Sequence, residues 1–324
     1  MLSLLRLLPP ELSHLIALKT LNFFYKLGIL GLIFKPVTSN FSFKIGSLTF
    51  PNRLGLAAGL DKNGDYFNAL GKLGFGFIEV GTVTPKPQFG NPKPRIWRIT
   101  SEKSIINSLG FNNKGIEHLL RNLKRRKFEG ILGVNIGANK ISNQGEKIQD
   151  YLYCFRRVAE YADYITINIS SPNTPGLREF HQEQEFKNLI TKIASLREEL
   201  KFSNPVFIKI SPDEDHGLLA KLVEIARASK IDGFVATNTS ISREMISNKS
   251  IKDLPGGLSG KLLQDKSNAV IKKLAALDCG VLIGVGGVSS KDDFDEKIKL
   301  GSSLVQIYTG FVYEGPKIIS KILE

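Results

Sequence analysis

The residues 168–176 read NISSPNTPG and follow the apolar, β-branched run YADYITI. A buried strand ending near Ile169 therefore opens into two Asn, two Ser, a Thr and two Pro. A turn uses about three such residues, so the segment has more hydrogen-bonding capacity than chain reversal requires. Comparable side chains close seven other short apolar runs. RLGLAAG (53–59) is followed by Asp61 and Lys62, and GFIEVGTVT (76–84) contains Gly81 and Thr82. ILGVNIG (131–137) carries Asn135, and VFIKIS (206–211) carries Lys209. GFVATN (233–238) ends in Thr237 and Asn238 with Thr239 next, VLIGVGG (281–287) ends in Gly286 and Gly287, and LVQIYTG (304–310) in Tyr308, Thr309 and Gly310. Ala58 and Gly59 complete the set at the first run.

A set of amides and hydroxyls with two lysines, no histidine and no metal-ligand spacing favours binding of a polar organic anion over metal chemistry. A lysine at the end of an apolar strand is costly without a counter-charge, and an anionic ligand supplies one. GVGGVSS and YTGF resemble the backbone phosphate cradle of α/β barrels. A phosphate cradle, an amide belt and a strand lysine together suggest flavin mononucleotide (FMN), with Lys209 placed where negative charge develops on a reduced ring.

Eight strand-like runs alternate with amphipathic segments such as EFKNLITKIASLREEL and GLLAKLVEIARAS. This alternation implies parallel pairing, and eight units imply a closed (β/α)8 TIM barrel, class α/β. A doubly wound open sheet is the competing fold, but no Gly-x-Gly-x-x-Gly follows the first strand. FSFKIGSLTFPNR (41–53) reads as a hairpin closing the barrel's bottom, and residues 85–115 form an insertion long enough to be functional. The chain is expected to divide into an N-terminal amphipathic helical segment, 1–38, and a barrel, 39–324.

The chain has 324 residues and is 42% hydrophobic, a globular composition with room for one large core. Its net charge of +13 is mostly dispersed lysine, with one cluster, KRRK, at 124–127. Solvated helix faces, anionic lipid or an anionic substrate account for it. No recognition module argues for nucleic acid. Cys154 and Cys279 lie far apart, which excludes a disulfide framework and suits a reducing compartment. Residues 1–35 are rich in Leu and Phe, but Arg6, Glu11, Lys19, Lys26 and Pro9-Pro10 interrupt them. No run reaches the ~18–20 residues that span a bilayer, and no small-residue cleavage site follows a signal-like core. Two short amphipathic helices lying in a membrane interface are expected, with Pro10 in a first turn.

AAGLDKNG, GFIEVGTVTPKPQFGNPKPRIWR, NSLGFNN, GVNIG, NISSPNTPGLR, GGLSG, IGVGGV and LVQIYTGFVYEGP resemble the dihydroorotate dehydrogenases, in their class 2, quinone-dependent and membrane-associated form. The resemblance runs from about residue 10 to the C-terminus. It implies an FMN barrel that oxidises dihydroorotate to orotate in pyrimidine synthesis. Ser171 matches the family's base, which removes a proton from substrate C5 while a hydride passes from C6 to flavin N5. Class 1 relatives carry Cys there. Serine is a poor base in water and needs a closed site with a proton relay, for which Thr174 or a bound water is the candidate. The resemblance further implies that Lys62, Asn107, Ser108, Leu109, Gly110, Phe111, Asn168, Asn173, Asn238 and Thr239 bind substrate. By the same carry-over Ala58, Gly59, Leu60, Asp61, Lys62, Thr82, Asn135, Asn168, Lys209, Thr237, Gly260, Gly287, Tyr308 and Thr309 hold FMN, and Pro172 and Pro175 stiffen the loop. His14, Arg98 and Tyr308 would stand at the inner end of a quinone tunnel. Trp97 and Leu109 depart from the Phe and Met common in the family.

The implied partners are dihydroorotate and orotate, ubiquinone or menaquinone, and a membrane surface met through the N-terminal helices. A monomer is expected, peripheral on the cytoplasmic face of the inner or cell membrane if the source is bacterial. The other readings are an FMN barrel that uses a nicotinamide through a partner subunit, a colourless phosphate-binding isomerase or lyase, and a non-catalytic membrane scaffold.

Overall fold

A computed structural model describes residues 5–34, 42–174, 177–247 and 251–324. The chain order of strands is β1 (Phe43–Ile45), β2 (Leu48–Phe50), β3 (Leu54–Leu56), β4 (Phe77–Val83), β5 (Ile96–Ile99), β6 (Ser104–Asn107), β7 (Ile131–Ile136), β8 (Tyr164–Asn168), β9 (Val206–Ile210), β10 (Gly233–Ala236), β11 (Gly257–Gly260), β12 (Val281–Val285) and β13 (Leu304–Ile307). Eight of them close a barrel in the order β3-β4-β7-β8-β9-β10-β12-β13. These are the eight apolar runs of the sequence. Buried on both faces, parallel strands carry near-continuous Val, Ile and Leu rather than alternation. Helices between them pack a long apolar face on the barrel. Gln144–Val158 is capped by a reciprocal Asn143–Glu146 box, and His216–Ala228 by Asp215.

The barrel interior is closed at one end by the β1–β2 hairpin, whose pairing runs Phe43↔Phe50 to Ile45↔Leu48. Ile45 and Phe50 pack with Phe77, Tyr164, Phe207, Ile283 and Leu304. Phe50–Phe77 and Tyr164–Phe207 meet edge-on at 5.5 and 5.4 Å. Two strand glycines are required here. A Cβ on Gly55 would lie 2.3 Å from the Phe77 ring, and one on Gly133 2.0 Å from the Tyr164 ring.

At the opposite end the 85–115 insertion is ordered. Its β5 and β6 form a hairpin, and β11 pairs antiparallel with β6, placing Gly257 opposite Asn107. This three-stranded sheet, with a small core of Ile99, Ile106, Ile246 and Leu258, stands beside the mouth. The expected pair of N-terminal helices is Pro10–Lys26, with proline in its first turn, and the single-turn Leu30–Ile33. No helix among the described residues is long and apolar enough to cross a membrane. The boundary expected at residue 38 lies outside the described residues, as do Pro175 and Gly176 of the serine loop.

Candidate active site

Strand register fixes the site. Asn168 on β8 lies directly beside Lys209 on β9, and Asn135 follows Val134 at the mouth end of β7 beside Gly81 of β4. One cavity opens at this end, walled by residues that include Ala58, Gly59, Lys62, Thr82, Asn107, Leu109, Gly110, Phe111, Asn168, Ser171, Asn173, Lys209, Thr237, Asn238, Thr239, Gly260, Gly287, Tyr308 and Thr309. The sequence thus brought most of its candidates together. Four of the substrate and flavin candidates stand outside the wall. Asn135 is fully buried, and accepts from Thr82 Oγ1 at 2.5 Å and from Asn168 Nδ2 at 3.2 Å. Asp61 turns away to accept the Asp65 and Tyr66 backbone N–H groups at 2.9 and 2.7 Å. Ser108 accepts from Asn91 Nδ2, and Leu60 packs in the apolar core.

Ser171 is buried in the wall. Its Oγ accepts from the Asn173 backbone N–H at 3.3 Å and from Thr174 Oγ1 at 3.5 Å. The amides around it are mutually fixed. Asn168 Nδ2 donates to Thr82 Oγ1 at 2.9 Å, Asn238 Nδ2 donates to Asn168 Oδ1 at 3.3 Å, and Asn173 Nδ2 donates to the Asn107 carbonyl at 3.0 Å. The NSLGFNN turn passes Gly110 and Phe111 at φ 68° and 52° in succession. Phe111 is strained there, and its carbonyl is held by Asn113 Nδ2 at 2.7 Å and Gln88 Nε2 at 3.1 Å.

The wall contains two lysines and no carboxylate among the described residues. Burial holds Lys209 below the usual lysine range, opposed by the charge of Glu79, and its ammonium has no hydrogen bond or ion pair among the described residues. Burial and then Arg95 bring Lys62 down to about 8; Glu11 and Asp61 oppose the shift. Its Nζ donates to the Gly59 carbonyl at 2.7 Å. Below the cavity, fully buried Glu79 accepts from Asn135, Tyr164, Thr166 and Gln306 at 2.7–3.1 Å. Gln306 also lines the cavity, and its buried Oε1 has no partner among the described residues.

These features fit a flavin. A buried acceptor on a lining residue is free for a group bearing N–H, an ammonium unpaired among the described residues suits a ring that gains negative charge, and the glycine-bearing ends of β11 and β12 line the cavity where a phosphate could meet the backbone.

Sequence reading missed Ser259, whose hydroxyl meets Thr309 Oγ1 at 2.9 Å in the wall, and also Gln306 and Glu79. The one available signal was a polar residue inside an otherwise apolar strand, at 79 and 306. Of the three quinone-site candidates, Tyr308 lines the cavity, with its hydroxyl pushed up to about 12 by burial. His14 is held down to about 4 by burial and by Lys62, and hydrogen-bonds near the Leu60 backbone. Arg98 donates instead to the Leu8 carbonyl, tying β5 to the N-terminal segment.

Fold and cavity together define an α/β-barrel enzyme whose mouth is lined by amides, hydroxyls and two lysines. The family model for dihydroorotate dehydrogenase matches residues 41–324. A dihydroorotate dehydrogenase (quinone) from Cellvibrio japonicus is 46% identical over 319 residues, 97% of this chain and 93% of the relative. One from Legionella pneumophila (strain Corby) is 44% identical, over 98% of this chain and 95% of the relative. The ligand-free crystal structure of a dihydroorotate dehydrogenase from Eimeria tenella superposes with a TM-score of 0.89 at 33% identity, covering 97% of this chain and 93% of that one. The chain belongs to the dihydroorotate dehydrogenase family, in its quinone-dependent class.

Proposed function

We propose that the barrel mouth performs the family reaction with Ser171 as base and FMN as the bound flavin. The reaction is the oxidation of dihydroorotate to orotate in pyrimidine biosynthesis, with a quinone as electron acceptor. The observation that carries the residue-level reading is the cavity wall. It combines one buried serine hydroxyl, a fixed amide belt and two lysines, with no acidic side chain to repel an anionic substrate.

Ser171 Oγ takes the proton from C5. Two donors aimed at that oxygen, the Asn173 N–H and the Thr174 hydroxyl, favour its anionic form as the proton leaves. Thr174 or an adjacent water carries the proton outward. Lys62 binds the substrate carboxylate by charge, and Asn107, Asn173 and Asn238 orient the ring. FMN, when bound, would supply the hydride acceptor for C6 and the two-electron carrier between substrate and quinone. Lys209 would supply a positive charge beside that group, Gln306 Oε1 would be available to accept from it, and the backbone of Gly260, Gly287 and Thr309 would hold its phosphate. The approach of the quinone headgroup is assigned to His14, Arg98 and Tyr308, of which Tyr308 lines the cavity. The exposed apolar residues of the N-terminal helices rest on the membrane surface, making the enzyme a peripheral protein, and it acts as a monomer.

Denaturing the purified protein tests the cofactor. A yellow chromophore absorbing near about 450 nm should be released and co-migrate with FMN. Release of FAD, or a colourless protein that binds no added FMN, contradicts the assignment.

A further inference from the structure

The N-terminal helix carries a carboxylate that reaches the substrate side of the molecule. Arg95, deeply buried at the end of the 85–95 turn, donates Nε to Glu11 Oε1 at 2.9 Å, and its Nη2 lies 2.8 Å from the same oxygen. The other arm of the guanidinium, Nη1, donates to the Phe89 and Asn91 carbonyls at 2.6 and 2.9 Å. Asn91 in turn donates Nδ2 to the Ser108 carbonyl at 3.1 Å and to the Asn173 carbonyl at 3.3 Å, and its N–H to the Leu109 carbonyl at 3.1 Å. Two side chains therefore link Glu11 to the loop bearing Ser171 and to the turn that forms the cavity's outer wall.

We propose that Glu11 is a positioning residue for substrate binding, acting through Arg95 and Asn91 on the 107–111 turn of the cavity wall and on the charge around Lys62. The inference rests on Lys62 as the site of the substrate carboxylate. Both parts follow from the contacts. Geometrically, a two-pronged carboxylate–guanidinium contact fixes the plane of Arg95 and with it the Phe89 and Asn91 carbonyls. Electrostatically, Lys62 interacts with cationic Arg95, with the carboxylates of Glu11 and Asp61, and with His14 from the same helix as Glu11. Glu11 offsets Arg95, which by itself drives Lys62 toward its neutral form. Loss of the Glu11 charge should make Lys62 shed its proton at lower pH, where it no longer attracts an anion. The helix that approaches the membrane is thereby a working part of the substrate pocket.

The test uses full-length holoenzyme with Glu11→Gln, Glu11→Asp and Lys93→Ala, titrated with orotate through the flavin absorbance from pH 6 to pH 9.5. Glu11→Gln should weaken orotate about tenfold at pH 8 and move the alkaline midpoint of binding acidward by about half a unit. At saturating dihydroorotate, flavin reduction should change less than about threefold, because the effect is on binding rather than on chemistry. Glu11→Asp keeps the charge one methylene further back, and should leave the midpoint in place with intermediate affinity. Lys93 forms only an exposed contact with Glu11, at 3.1 Å, and its removal should change nothing. Wild-type affinity and midpoint in Glu11→Gln overturn the proposal. If that variant does not retain flavin, wild-type affinity in Glu11→Asp overturns it. Lys62→Met separates the layers. If it binds orotate as the wild type does, the substrate reading fails and the inference with it. If it loses orotate while Glu11→Gln does not, only the Glu11 role fails.

Discussion

In the proposed reaction Ser171 depends on where it stands. A serine hydroxyl in water holds its proton far above neutral pH, burial alone would raise it further, and the two donors on its oxygen act in the opposite sense. Ser171→Ala should keep the flavin yet slow its reduction by dihydroorotate by about 10³-fold or more at pH 7, read by anaerobic rapid mixing. Reduction within tenfold of wild type would remove the assignment. Lys62 gives a pH signature. In the proposed role its ammonium, brought down to about 8, would bind the carboxylate only while protonated. kcat/KM for dihydroorotate should therefore fall as pH rises through about 8 in the free enzyme, and an alkaline limb above pH 10 would contradict that role. Lys209→Met should leave a cavity that still takes FMN, with a midpoint potential more negative than wild type, since the charge favouring the reduced ring is gone. A midpoint unchanged in spectroelectrochemical titration would place Lys209 away from the ring.

The elements divide into those that sequence announces and those that it hides. Each barrel strand is a local event, a short β-branched run ending in glycine or polar residues, and all eight could be read from the runs between residues 53 and 310. The β5–β6–β11 sheet could not. Its strands are four residues long, and Gly257 pairs with Asn107 across a separation of 150 residues that no local pattern records. Ser259 was lost with it. Glu79 and Gln306 were hidden differently, as single polar residues in apolar strands whose partners come from four other positions on the barrel. The side chains of the belt were legible by type, because amides and lysines at strand ends cannot be explained by packing. The outward turn of Asp61 was not, because its partners are backbone N–H groups. The β1–β2 hairpin was legible in full, and its energetic role is concentrated in Phe50, which seals the inner aromatic layer. Phe50→Ala should cost about 3–5 kcal/mol of stability by denaturant titration. A loss under about 1 kcal/mol would mean that the barrel floor closes without it.

At the scale of the whole molecule, the proposed function requires two reagents to meet the same flavin from different surroundings, a small anion from water and an apolar quinone from lipid. The positive charge and the exposed apolar residues of the N-terminal helices suit that arrangement. Leu12, Leu15, Phe23 and Leu27 are 44%, 42%, 58% and 55% exposed on or just after one helix, an arrangement suited to an interfacial element. Phe23→Ser combined with Leu27→Ser should weaken binding to anionic vesicles about tenfold or more and lower turnover with a long-tailed quinone, while leaving flavin reduction by dihydroorotate at the wild-type rate. Unchanged vesicle sedimentation would show that this face does not meet lipid. The most direct measurement follows both half-reactions on one sample. Oxygen-free holoenzyme is mixed with one equivalent of dihydroorotate in a stopped-flow cell and then with a water-soluble ubiquinone analogue. Bleaching of the flavin with formation of one orotate per flavin, followed by return of the colour on adding quinone, is the predicted result. A flavin that stays yellow with dihydroorotate present would contradict the assignment of this cavity and its serine.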